Sequence, residues 1–205
     1  MLSLACFDAM QTPGDAAGPT ARLSRAWYAA SIAEFLEASP DSVIGRLVSN
    51  SQFAVLPTQR DAWQEQITFL RSRLVGLSGS VILEFNIPRM GRRIDTVLLI
   101  GPIVFVVEFK VGEASFDRAA VDQVWDYALD LKNFHEGSHA VSIVPILVAT
   151  GATKVAAARL QADDDNVYRP IQVDATGFRD SVDAALRVVH AADTIGIRGI
   201  LVHAI

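Results

Sequence analysis

The sequence predicts a mixed α/β fold, a sheet of three antiparallel strands plus one crossover strand, flanked by helices on both sides. Three observations carry that expectation. Between residues 80 and 111 lie three runs rich in β-branched and aromatic side chains, the last two separated only by Gly101-Pro102, as expected of a meander closed by a tight turn. On either side, apolar residues recur at helical spacing, at Trp63, Ile67, Leu70 and Leu74 and again at Ala120, Val121, Val124, Ala128 and Leu131. Beyond them, Ser142 to Thr150 is almost continuously apolar, which reads as a strand buried on both faces and reached through a helical crossover.

Taken in order, residues 1–24 are rich in Gly, Ala, Pro and Thr without periodicity and read as a poorly ordered leader. The folded domain is expected over 25–190. Ser31 followed by Glu34 has the spacing of a capping box for a short helix, and Ser39-Pro40 opens another with proline at the first helical position. Thr58 is expected to cap the third helix, which should stop near Gly76 or Gly79. Strands follow over 80–87, 92–100 and 103–111. Ser115 or Asp117 begins the crossover helix, which runs to about Phe134 and is stopped by Gly137. After the buried strand the pattern weakens to a helix over 155–160, a short strand over 169–173 and a Thr-capped helix over 176–190. Residues 191–205 are left between a last strand and a connection to a further module.

Composition narrows the classes. With 205 residues the chain is long enough for one domain with a filled core. No apolar run reaches the ~18–20 residues of a membrane span, and the N-terminus has no basic region ahead of an apolar stretch. Cys6 is the one cysteine, so no internal disulfide forms, and a reducing, cytoplasmic setting is expected. The net charge of −5 argues against a protein that attracts nucleic acid by its overall charge. Any such binding must use local patches, of which Arg89, Arg92 and Arg93 form the one beside the hairpin.

The hairpin carries the chemistry. If Gly101 and Pro102 are the whole loop, Ile100 meets Ile103, and counting outward sets Asp95 across from Glu108. Cross-strand neighbours lie roughly 4.5–5.5 Å apart at Cβ, and two carboxylates at that range repel unless a cation joins them or one acid keeps its proton. Alternation places Lys110 on the same face as Glu108 and turns Phe109 away. On the crossover helix, Gln123 and Tyr127 stand four residues apart, hence on one face.

Asp95, then Glu108-Phe109-Lys110 on the next strand, then Gln123 and Tyr127 on the following helix resemble the PD-(D/E)XK nuclease superfamily, in the motif order of its RecB-type branch. The proline of the family's name is absent, since Ile94 precedes Asp95. More closely, Glu84-Phe85-Asn86-Ile87-Pro88, Arg92-Arg93-Ile94-Asp95 and the run Asp122 to Lys132 look like the nuclease-like domain that precedes Schlafen-type helicase domains in bacterial proteins. The resemblance covers roughly residues 27–150. It implies a restriction-endonuclease-like core in which Asp95 and Glu108 ligate Mg²⁺ or Mn²⁺, with the Phe109 carbonyl and Glu84 as further candidates.

By the same resemblance, Lys110 orients or helps deprotonate the attacking water. Gln123 positions Lys110 or the nucleophile, and Tyr127 buttresses Gln123 or meets the phosphate. Many members also place an acid on the first core helix; here Gln59 occupies a matching site and Glu65 lies further along. The family domain is often followed by a P-loop ATPase, but no G-x-x-x-x-G-K-[S/T] occurs in this chain. The implied activity is metal-dependent hydrolysis of phosphodiester bonds in DNA, with RNA as the alternative substrate. It would work beside a helicase or ATPase module, with a homodimer left open. The rival reading is a non-catalytic nucleic-acid-binding or regulatory module that keeps the nuclease fold.

A second motif competes. His135-Glu136-Gly137-Ser138-His139 fits H-E-x-x-H, yet zinc-peptidase chemistry needs both histidines on consecutive turns of one helix. Gly137 and Ser138 in the middle favour a helix end with loop histidines. His190 and His203 are isolated.

Overall fold

The computed structural model describes residues 25–51, 53–87, 91–153, 155, 160–163, 165–202, and of Glu136 and 192–202 the backbone alone. The leader, Arg89, His203 and most of the helix expected over 155–160 lie outside those residues. The chain folds as an α/β structure around one six-stranded mixed sheet in the order β1-β2-β3-β4-β5-β6. The strands are β1 Ala26–Ser31, β2 Ser80–Asn86, β3 Arg93–Ile100, β4 Ile103–Lys110, β5 Ser142–Ala149 and β6 Ile171–Val173, and the helices are α1 Ile32–Glu37, α2 Pro40–Asn50, α3 Pro57–Arg73, α4 Arg118–Phe134 and α5 Gly177–Val202.

The pairs β1-β2, β2-β3 and β3-β4 are antiparallel, whereas β4-β5 and β5-β6 are parallel. The crossover from β4 to β5 is α4, as the doubly apolar run at 142–150 requires: β5 is buried from Ile143 to Ala149. β1 was not expected, and it extends the meander by one strand on the far edge.

Two apolar clusters cover the two faces. One gathers Trp27, Phe35, Leu47, Trp63, Leu70, Phe105, Phe109 and Phe178 under α1, α2, α3 and α5; the other gathers Phe85, Val97, Val106, Val124, Tyr127, Leu131 and Leu147 under α4. With both faces covered, the β4-β5 pair carries the near-continuous apolar sequence of an interior parallel pair.

Local signals explain most helix ends. Ser31 and Glu34 form the full capping box, Ser39 accepts the Ser42 N–H ahead of Pro40, and Asp117 accepts the Ala120 N–H at the start of α4. Four signals at helix ends depart from expectation. α3 begins at Pro57 after Leu56, with no side-chain cap, because proline's fixed φ starts the helix one residue before Thr58 could cap it. α4 ends at Phe134 with His135 as its cap, and Gly137 lies in a short 3₁₀ turn over Glu136–Ser138. At α5 the capping acceptor is Asp174, whose carboxylate takes the N–H groups of Thr176 and Gly177 and the Thr176 hydroxyl. That helix then runs on to Val202, where a last strand or a connection was expected from 191. Among the described residues no helix is long and apolar enough to cross a membrane.

Candidate metal centre

The hairpin sets the register of the centre. Gly101 takes φ 59°, the positive value the turn needs, and the ladder runs from Ile100↔Ile103 to Thr96↔Val107. One step further, where the ladder ends, Asp95 faces Glu108. There the Asp95 side chain replaces the missing rung, its Oδ2 accepting the Phe109 N–H at 3.0 Å. A strand residue turns its N–H and C=O to the same side, so the Phe109 carbonyl faces β3 as well. The Phe109 ring goes to the opposite face and meets Phe69 edge-on, 5.4 Å between centroids.

Glu108, 5% exposed, divides its carboxylate between two environments. Oε1 accepts from Lys110 Nζ at 3.1 Å, whereas Oε2 is buried with no hydrogen-bond partner. Lys110 Nζ also donates to Gln123 Oε1 at 3.3 Å, and Gln123 Nε2 donates to Tyr127 Oη at 2.7 Å. The strand and α4 thus join in one chain of contacts, Glu108 to Lys110 to Gln123 to Tyr127. Of the roles open to Gln123 and Tyr127, the geometry forms the lysine contact and the glutamine buttress.

The electrostatics are those of a site short of positive charge. Loss of solvent around Asp95, followed by the negative charges of Glu108 and Glu84, pushes its carboxyl well above the usual carboxylate range; the Phe109 N–H and Lys110 offset this only in part. Burial also raises Glu108, against the pull of Lys110. Without a cation, the pair lowers its repulsion by holding a proton.

Two oxygen donors and one buried oxygen without a partner fit a small hard cation. Mg²⁺ is commonly held by one or two carboxylates while keeping several waters. Among the described residues no group of three or more His, Cys, Asp or Glu side chains gathers as a metal cage, so any ion here must draw further ligands from water, the Phe109 carbonyl or substrate oxygens.

Glu84 is not with that pair. The ladder pairs Leu83↔Thr96 and Phe85↔Ile94 put Glu84 in the same row as Asp95, but Glu84 has φ 55°, a value rare for a residue with a Cβ. Alternation breaks there: Leu83 lies in one apolar cluster and Phe85 in the other, although i and i+2 ordinarily share a face. The Glu84 carboxylate instead reaches α3, accepting from Trp63 Nε1 at 2.5 Å and pairing with Arg93 Nε. Burial raises its pKa, against the pull of those two donors. Its carboxylate is thus engaged in an internal ion pair, while its charge still raises Asp95 and Glu108.

Arg93 is committed in the same way, since its guanidinium lies over the Trp27 ring at 4.0 Å. Arg92 is exposed and pairs with Asp126 at 3.2 Å. On the first core helix, Gln59 lines a separate cleft with Trp27, Trp63 and Arg93, and Glu65 is exposed. Trp27 and Trp63 were missed as partners of this region. The signal available was a buried glutamate in an apolar strand, which needs donors from somewhere.

The H-E-x-x-H tract does not form a zinc-peptidase site. His135 ends α4, Glu136–Ser138 is a 3₁₀ turn and His139 is exposed beyond it. His135 is buried, with Nδ1 2.7 Å from Ser138 Oγ. Burial, then Arg25 and His139, lower its pKa to about 4. No family model, curated protein or solved structure matches the chain.

Proposed function

We propose that the chain is a metal-dependent phosphodiesterase domain acting on DNA, with RNA as the alternative substrate, through Asp95, Glu108 and Lys110. The observation that carries this reading is the buried Glu108 Oε2, which meets no fixed donor, beside an Asp95 carboxyl that burial and the Glu108 charge raise, with an ammonium tethered 3.1 Å away. Such a site gains from a divalent cation, and a cation beside a lysine is suited to an anionic substrate.

Asp95, Glu108 and the Phe109 carbonyl would hold Mg²⁺ or Mn²⁺. Bound there, the ion would polarise a phosphoryl oxygen and ease deprotonation of water. Lys110 has three donors; Glu108 and Gln123 take two, which leaves one for the attacking water or a phosphate oxygen. Gln123 fixes the ammonium, and Tyr127 fixes Gln123. Arg92 is the described arginine of the basic cluster with an exposed side chain, and it contributes to holding the phosphate backbone, which carries no sequence information.

The non-catalytic reading draws on the net charge of −5 and on Gln59 where many family members carry an acid. Titrating Mg²⁺ or Mn²⁺ into a labelled-DNA cleavage assay separates the two. Cleavage should require metal, disappear in Asp95→Ala and fall by two to three orders of magnitude in Lys110→Ala, as when one donor to the developing charge is removed (~10²–10³). DNA binding with no metal-dependent cleavage, unchanged by either substitution, would sink the nuclease reading. A helicase or ATPase partner belongs to the same proposal and rests on the sequence resemblance alone.

A further inference from the structure

A cleft of about 160 Å³ opens on the α3 side of the same strand row, lined by Trp27, Phe53, Thr58, Gln59, Trp63 and Arg93 among others. It is smaller than the ~300–1,000 Å³ of sites that enclose a whole drug-sized ligand, so it suits one planar ring rather than a base pair. Its walls are aromatic and cationic. Trp27 and Trp63 meet edge-to-face at 6.0 Å and 82°, and the Arg93 guanidinium lies on the Trp27 ring.

The guanidinium is held on two sides. Glu84 grips Nε and Trp27 supports one flat face, yet the Arg93 side chain keeps 32% of its surface exposed. An arginine pinned at Nε and stacked on Trp27, with a third of its side chain still exposed, is suited to act as a rigid stacking surface more than as a mobile phosphate clamp. Phe53 stands at the cleft 76% exposed. A phenyl ring so open to water at a cationic, aromatic cleft is suited to cover a flat ligand. Thr58 and Gln59 supply hydrogen-bonding groups at the edge.

The cleft is also tied to the metal centre by the chain itself. Arg93 and Asp95 belong to the same strand, and Glu84, which pins Arg93, shares its row with Asp95. We propose that this cleft takes one unstacked nucleobase of a single-stranded nucleic acid, held between the Arg93 guanidinium and Phe53, while the strand's backbone passes the Asp95–Glu108 pair. The inference rests on the phosphodiesterase reading for its orientation. It goes further by making the substrate single-stranded at the site, because a paired base cannot enter.

The test measures binding of a fluorescein-labelled 12-mer oligonucleotide, single-stranded or duplex, by anisotropy, with Asp95→Asn used throughout so that no cleavage intervenes. Single strand should bind at least tenfold tighter than duplex. Phe53→Ala, an exposed position whose truncation leaves the core intact, should weaken single-strand binding by roughly 5- to 150-fold, the span for loss of one base–aromatic stack, and leave duplex binding unchanged. Gln59→Ala supplies a second variant at the cleft and should weaken the single strand selectively by a smaller factor. Equal affinity for the two forms, or a Phe53→Ala protein that binds single strand as its parent does, overturns the inference. The two readings fail separately. Metal-dependent cleavage without single-strand preference leaves the nuclease and removes the subsite, whereas Phe53-dependent single-strand binding in a protein that never cleaves leaves the subsite and removes the nuclease.

Discussion

At Glu108 one carboxylate oxygen is satisfied by Lys110, and the other meets no fixed donor and has only the carboxyl of Asp95 to share a proton with. The positioning role of Gln123 follows from its two bonds, one to Lys110 and one to Tyr127. Gln123→Ala should lower kcat about tenfold with little change in KM, Tyr127→Phe should cost less, and the double variant should fall short of the product of the two, because both act on one lysine. Rates measured at saturating metal decide this; strictly multiplicative effects would separate the two residues.

Glu84 makes a different demand. Arg93→Ala leaves its carboxylate buried beside Trp63 without its cation and should destabilise the fold by about 3–5 kcal/mol. Adding Glu84→Gln should recover much of that loss, as read by urea unfolding.

His135 gives a pH signature. Its folded-state pKa of about 4 lies below the ordinary histidine value of 6.5, so its contribution is fully present above pH 6.5 and is lost as the pH falls toward 4. The loss should reach on the order of 2–3 kcal/mol at about 1.4 kcal/mol per unit. Denaturation at pH 7.5 and pH 4.5, compared between the parent and His135→Phe, should show a flatter profile for the variant.

At the scale of elements, what could be read in advance followed from how local the signal was. The β3-β4 hairpin and its register were legible because a two-residue turn with glycine at the positive-φ position admits one pairing, and Asp117, Ser39 and the Ser31–Glu34 box named helix starts by hydrogen bonds within three residues. β1 was illegible: Ala26–Ser31 is two-thirds alanine and serine, and it becomes a strand by pairing with β2, 49 to 59 residues away. The α5 start at Gly177 falls where a helix over 176–190 was expected, but its capping acceptor was missed for a related reason. Asp174 caps from outside the helix while also accepting the Val155 N–H, a contact between distant segments. Asp117→Ala tests the local kind of signal and should cost α4 about 1 kcal/mol; a larger loss, with impaired cleavage, would show that the cap also sets the position of Gln123.

Across the whole molecule, the sheet brings three acids into one row and then separates them. Asp95 and Glu108 stay together, while the positive φ at Glu84, worth about 1–3 kcal/mol of strain, turns the third acid into the α3 side. Sequence spacing showed the Asp95–Glu108 pair, and the resemblance added Glu84, but neither showed the turn, because φ 55° at a glutamate has no signature in residue order. The consequence is a two-acid centre with an aromatic cleft beside it in place of a three-acid cage. Binding of an ion that the unfolded chain does not hold must raise the melting temperature, and chelation should return it to the metal-free value.

The most direct test is calorimetric titration of Mn²⁺ into the protein, with and without Asp95→Asn. Saturable binding is expected, with more protons released as the pH is lowered because burial and mutual repulsion raise both carboxyls, and that binding should be lost in the variant. Mn²⁺ binding that survives Asp95→Asn unchanged, or no binding to the parent at millimolar metal with substrate analogue present, would contradict it.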